Sequence, residues 1–297
     1  MAAQIESTAD IQSRVPYADY AAIPAHSISM LKVLGISPKH YRYAKAHPKT
    51  SPALTLGTAA HTAVLEPERF ERDFAIWTRK TDSGRNAPRT GKIWDEFLEA
   101  AASENKTVLT GDEEATARTI QAAVRGNPDV MRYLESGDPE ISMAWTTSVI
   151  RAIGPPEVFN CKGRADWYTH VDGKPCLVGL KTARDHRHFI FGSAAARLGY
   201  HLQWAFYFDG YATITGNEPR MVEIVVESGG PHDSVVYAIP DEIIQQGREE
   251  YTTLLRLYAQ CNESGEWPGV YQGEQILSLP SWIYGSQDDI SDLGLEP

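Results

Sequence analysis

The sequence predicts an α/β protein, a sheet with helical additions, and three observations carry that prediction. Most of the first 136 residues read as helical segments broken by Pro- and Gly-rich stretches. The texture then changes to β-branched and aromatic runs, "EISMAWTTS" (140–148) and "CKGRADWYTHVDGKPCLVGLKTA" (161–183). A helical stretch, two more strand-like runs and a last helix complete the order of three strands, helix, two strands, helix.

Residues 1–26 lack a period and read as an extended arm. "SISMLKVLGISPKHYRYA" runs helical from an N-cap at Ser27 or Ser29. A second helix covers about Leu54 to Leu65, its small residues Gly57, Ala59 and Ala60 allowing close packing, and Pro67 ends it. Residues 78–92 are rich in Gly, Pro, Ser, Thr and Arg and read as a mobile basic loop. Helices follow at roughly 92–104 and 111–136.

In the strand region, "HVDGKP" carries the Asp-Gly signal of a hairpin turn. Asp166 and Gly179 therefore fall on neighbouring antiparallel strands. A long helix from about Phe189 to Ala205 or beyond places Gln203 and Tyr207 on one face, four residues apart. "RMVEIVVES" and "DSVVYAIP" are the later strands, and a helix runs from about Pro240 to Gln260. The end of the chain, residues 286–297, is an acidic tail.

Composition narrows the function. No apolar run approaches the ~20 residues that span a bilayer. "MAAQIESTADIQSR" lacks the pattern of a secretory signal, so a cytoplasmic protein is expected. Three widely spaced cysteines, Cys161, Cys176 and Cys261, fit a reducing compartment and exclude a zinc ribbon or a cysteine-ligated cluster. The net charge of −11 argues against coating DNA with the whole surface. Basic residues are nevertheless grouped. Lys32–Thr50 holds five Lys/Arg and no acid, and Arg79–Lys92 holds five Lys/Arg and one acid. "RDHRH" (184–188) is a third group, and Arg79, Lys80, Arg85, Arg89, Lys92, Arg164 and Arg184 are candidate DNA contacts.

The chemistry centres on Asp166 in "GRADWY" and Lys181 in "LVGLKTA". Two acids on adjacent strands and a lysine two residues after the second can hydrolyse a phosphodiester. The carboxylates hold Mg²⁺, and the lysine orients the water or steadies the charged phosphorus. Strand alternation puts residues 179 and 181 on one side, but position 179 is glycine.

The succession "SISMLK", "LGTAAHTAVLEPERF", "GRADW", "GLKTA" and "YHLQWAFY" resembles the PD-(D/E)XK nuclease superfamily, in particular phage exonuclease domains of the RecE (exonuclease VIII) type. The resemblance implies a nuclease core with a central mixed sheet flanked by helices, spanning residues 27–285, with the 78–92 loop as an insertion and a helical N-terminal region. It implies His61 near the metal and the scissile phosphate, Asp166 as a metal ligand, Lys181 as the catalytic lysine, and Gln203 and Tyr207 bordering the DNA end. Glu140 is a further candidate acid at the start of the sheet. An Asp is expected where Gly179 stands. The implied activity is Mg²⁺-dependent (or Mn²⁺-dependent) 5′-to-3′ digestion of duplex DNA ends, impaired by the missing acid. A ring-shaped homo-oligomer such as a tetramer and a single-strand annealing partner are implied as well. The alternative is a DNA-end-binding scaffold that keeps the fold without the chemistry.

Overall fold

A computed structural model of the chain describes residues 9–47, 52–81, 83–84, 87–150 and 155–279. Its centre is a mixed sheet of seven strands. Six form a path in the order β1 (Ala9–Gln12), β5 (Asp138–Val149), β6 (Glu157–Val171), β7 (Lys174–Ala183), β8 (Arg220–Glu227) and β9 (Ser234–Ala238). The short β2 (His26–Ser27) pairs in parallel with β6 off that path. The β7–β8 pair is parallel, and the remaining pairs along the path are antiparallel. A separate parallel pair joins β3 (Phe74–Trp77) to β4 (Thr107–Thr110).

Alternation along β7 and β8 feeds two hydrophobic cores, one on each face of the sheet. Cys176, Val178, Leu180, Val222, Ile224 and Val226 point to one core. There they meet α4 (Pro52–Leu65), α7 (Gly111–Gly126) and α8 (Pro128–Leu134) through Val64, Ile120 and Val130. Leu177, Met221 and Val225 point the other way. They pack with α2 (Ile28–Ile36), α10 (Tyr200–Thr215) and α11 (Asp241–Ser264) through Leu31, Phe206 and Leu255. All three cysteines are buried free thiols, and burial pushes Cys161 and Cys176 up to about 12.

Several expected helices are pairs, and each break has a local cause. After α2, Ser37 caps α3 (Pro38–Ala46) by accepting the His40 amide at 3.2 Å, with Pro38 at the first helical position. Pro67 ends α4 as expected but also opens α5 (Pro67–Asp73). The expected 111–136 helix is α7, started by the Thr110–Glu113 capping box, and then α8, capped by Asn127 before Pro128. The expected long helix after Phe189 is α9 (His188–Arg197) and α10, separated by Gly199 in the left-handed conformation at φ 64°. α6 spans Lys92–Ser103, close to its expected bounds.

The N-terminal arm is not simply extended. β1 lies on the edge of β5, and α1 (Tyr17–Ala22) follows it. Lys162, only 8% exposed, fastens that helix to the sheet. Its ammonium donates to the carbonyls of Tyr20, Ala21 and Ile23 at 3.0, 2.8 and 2.9 Å. The 78–92 segment is tied across its neck, where the Ala87 amide donates to Arg79 O at 2.9 Å and the Trp77 indole to Ala87 O at 3.3 Å. Of that segment, Asp82, Arg85 and Asn86 lie outside the described residues, as does the tail at 286–297.

Candidate active site

The site forms where β6 and β7 part. Their antiparallel ladder runs from Val171↔Lys174 to Trp167↔Val178 and ends there. Asp166 then holds β7 with its side chain, Oδ2 accepting the Leu180 amide at 2.9 Å. Opposite, on β5, Glu140 takes a left-handed φ of 56°, which breaks the regular pleat beside Asp166.

Lys181 is the cation of the site and is 16% exposed at its side chain. Its Nζ donates to Asp166 Oδ2 at 3.2 Å and lies 3.5 Å from Glu223 Oε1 on β8. Burial alone would favour the neutral amine, but Asp166 and Glu223 outweigh it and raise the lysine above its ordinary range. Burial likewise pushes the Asp166 carboxyl up, while Lys181, His61 and the Leu180 amide bring it below its usual range. Glu223 goes the other way: burial dominates and raises it. His61, on α4, places Nδ1 4.0 Å from Asp166 Oδ2, and burial keeps the imidazole below its ordinary pKa.

α10 supplies the opposite wall. Gln203, Trp204 and Tyr207 line a narrow recess with Asp166, Gly179 and Glu223. Tyr207 lies across Gly163, where an added Cβ would come within 2.8 Å of its ring. Burial, then Asp166, pushes the Tyr207 phenol up to about 12, so it stays protonated. The Trp204 indole donates to Glu223 Oε2. Lys32, on α2, and Lys181 both approach the Tyr200 ring, at 5.3 and 5.7 Å from its centroid. Burial and the neighbouring Lys181 bring Lys32 down to about 8.

The structure thus brings together Asp166, Lys181, His61, Gln203, Tyr207 and position 179. Glu140 stands on the neighbouring strand beside Asp166. It is ion-paired with Arg164, and its carboxyl is raised by burial. Arg164 itself is 10% exposed and lies under the Tyr17 and Tyr20 rings, which corrects its reading as a DNA contact. Arg89, in the segment before α6, pairs with the capping Glu113 of α7, and Lys92 pairs with Glu96 on the exposed face of α6. Arg184 is exposed just past the end of β7.

Sequence reasoning missed Glu223. Its signal was present: one charge inside the apolar run "MVEIVV", in a strand buried on both faces. Trp204 and Tyr200, inside the same "YHLQWAFY" stretch, were given no role from the sequence.

A family model described as PDDEXK-like domain of unknown function (DUF3799) matches residues 27–276. The chain belongs to this PDDEXK-like family. A crystal structure of a proposed exonuclease from Eubacterium rectale superposes with a TM-score of 0.57 at 15% identity, covering 94% of this chain and 98% of that one. The likeness supports the PDDEXK-like fold. Two looser overlaps carry no argument. SSO0001 has a TM-score of 0.29 at 13% identity, with 76% of this chain and 85% of that one covered. VC1899 from Vibrio cholerae has a TM-score of 0.19 at 15% identity, with 85% and 63% covered. No curated protein matches the sequence. Among the described residues no helix is long and apolar enough to cross a membrane.

Proposed function

We propose that this chain is a divalent-metal-dependent deoxyribonuclease that digests duplex DNA from an end, with Mg²⁺ as the working ion and Mn²⁺ able to replace it. One observation carries the reading: a charged lysine set between two buried carboxylates, beside a histidine, where two strands of a PDDEXK-like sheet part.

The donor set fits a hard cation. Among the described residues no group of three or more His, Cys, Asp or Glu is arranged as a metal cage. Mg²⁺ needs no such cage, because it is commonly held by one or two carboxylates together with water and substrate phosphate oxygens. A second buried carboxylate, Glu223, also lies at the site, with Oε1 3.5 Å from Lys181 Nζ. Asp166 stays ionised and would hold the ion. When bound, such an ion supplies a water acidic enough to attack phosphorus and a positive charge against the phosphate oxygens.

The protein's own groups account for the rest. Lys181 remains protonated and places a fixed charge where negative charge gathers on the phosphate. Its ion pair with Asp166 holds it before substrate arrives, so little reorganisation is needed. His61 remains neutral and offers a hydrogen-bonding edge without repelling the cation. Tyr207 stays protonated as a donor, and Gln203 stands one helical turn before it on the same wall.

The family resemblance supports 5′-to-3′ polarity, a homo-oligomeric ring and delivery of the exposed strand to an annealing protein in the cytoplasm. The test is digestion of linear duplex labelled at either end, with Mg²⁺ and with chelator, against covalently closed circles. Linear DNA should be shortened only with metal. Lys181→Met should lower the rate about 10²- to 10³-fold. Circles cut as fast as linear DNA, or an unaffected Lys181→Met variant, would overturn the reading.

A further inference from the structure

The glycine at 179 leaves the motif one acid short on its own strand. The missing carboxylate is nevertheless present, on the next strand. β7 and β8 pair in parallel with Gly179 facing Glu223. A Cβ built on Gly179 would fall 2.6 Å from Glu223 Oε2 and 2.7 Å from its Cδ, and closer still to Oε1. The Glu223 carboxyl therefore occupies the volume that a side chain at 179 would fill. A residue at 179 larger than glycine would have to displace it.

We propose that Glu223 replaces the acid absent from position 179 and, with Asp166, forms the two-carboxylate anchor for the divalent ion. This rests on the nuclease reading for the identity of the ion.

Four observations support the assignment. Glu223 reaches the same lysine as Asp166, so Lys181 keeps an acid on each side. The Glu223 side chain is 2% exposed, a costly place for a carboxylate without a purpose. The Trp204 indole fixes Oε2, while Oε1 meets only the Lys181 ammonium, at 3.5 Å. Both acids line the recess that Gln203 and Tyr207 close. Glutamate also suits the move across strands. Its extra methylene lets a carboxylate rooted on β8 reach sideways to β7, where a shorter acid rooted on β7 would suffice. The glycine and the glutamate are then two halves of one exchange, and the site is complete rather than disabled.

The rival is a structural one, in which Glu223 serves only as a counter-ion for Lys181. Metal binding without DNA separates the two. Titrating Mn²⁺ into the full-length protein, followed by calorimetry or by the loss of free Mn²⁺ signal in electron paramagnetic resonance, should show one saturable site. Glu223→Gln keeps the shape and an acceptor for Trp204 and should weaken that site at least tenfold, as losses even around metal ligands do. Gly179→Asp alone should not strengthen it, because the new side chain meets Glu223. Gly179→Asp combined with Glu223→Ala should regain most of the wild-type affinity, with circular dichroism confirming that each variant folds.

Undiminished Mn²⁺ affinity in Glu223→Gln would overturn the assignment. So would tighter binding by Gly179→Asp alone, or no Mn²⁺ site in the wild-type protein. Binding that depends on Glu223 without cleavage of any DNA would retain the assignment and sink the nuclease reading. Cleavage and Mn²⁺ binding that ignore Glu223→Gln would do the reverse.

Discussion

Replacing Lys162 with methionine should release the N-terminal helix from the sheet. The lysine places three donors on the carbonyls of Tyr20, Ala21 and Ile23, at the end of α1. Its ammonium also lies 5.1 Å from the centroid of the Tyr20 ring. Hydrogen bonds that involve a charge contribute about 1.5–3 kcal/mol each, so three would nominally give ~5–9 kcal/mol. Burial of the ammonium opposes them, and it lowers the Lys162 pKa, a sign that desolvation is not fully recovered. A net loss of about 2–3 kcal/mol is therefore expected. α1 has no buried residue of its own to compensate. Local opening should rise by roughly 30- to 150-fold at about 1.4 kcal/mol per factor of ten. Hydrogen exchange read by mass spectrometry should show this in peptides covering residues 16–25. Peptides from β6 and β7 should change far less, because the opening is local. Unchanged exchange over 16–25, or faster exchange spread evenly over the sheet, would refute the latch.

Lys32 should titrate near pH 8, followed by the NMR signal of its Cε–Hε group and assigned with Lys32→Arg. Its folded pKa is depressed, so its share of stability should improve as pH rises from about 8 toward the unfolded value; a transition at the ordinary lysine pKa would contradict its burial beside Lys181. Neutralising Arg85, Arg89 and Lys92 together should weaken duplex binding and flatten its salt dependence by up to about three units of slope, roughly one per lost phosphate contact. An unchanged slope would place the DNA path elsewhere.

The part of the site that was legible in the sequence is the part set by local chemistry. "HVDGKP" fixes a hairpin, the hairpin fixes the register of β6 against β7, and the register brings Asp166 beside the Gly179–Lys181 stretch. Gln203 and Tyr207 were legible because a helical turn puts them on one wall. Glu223 was not. Its position depends on a parallel pairing reached through α9 and α10, and no short-range signal sets the register of such a crossover. The same reason hides β1, which finds β5 across most of the N-terminal half of the chain. Arg164 was misjudged because charge was read as exposure, whereas Glu140 and two tyrosine rings enclose it. The helix breaks at Ser37-Pro38 and Asn127-Pro128 carried their signals in plain view. Helical periodicity on both sides concealed them.

The burial of Cys161, Cys176 and Cys261 has a practical consequence. Near neutral pH a maleimide attacks the small thiolate fraction of a solvent-accessible cysteine, and thiols pushed as high as Cys161 and Cys176 offer almost none. The native chain is therefore nearly silent toward such reagents without any cysteine being removed. A single cysteine introduced at Lys92, whose side chain is 88% exposed, would become the reactive point. A fluorophore or spin label placed there would test whether duplex DNA approaches this segment, while leaving the recess around Asp166 and Glu223 untouched.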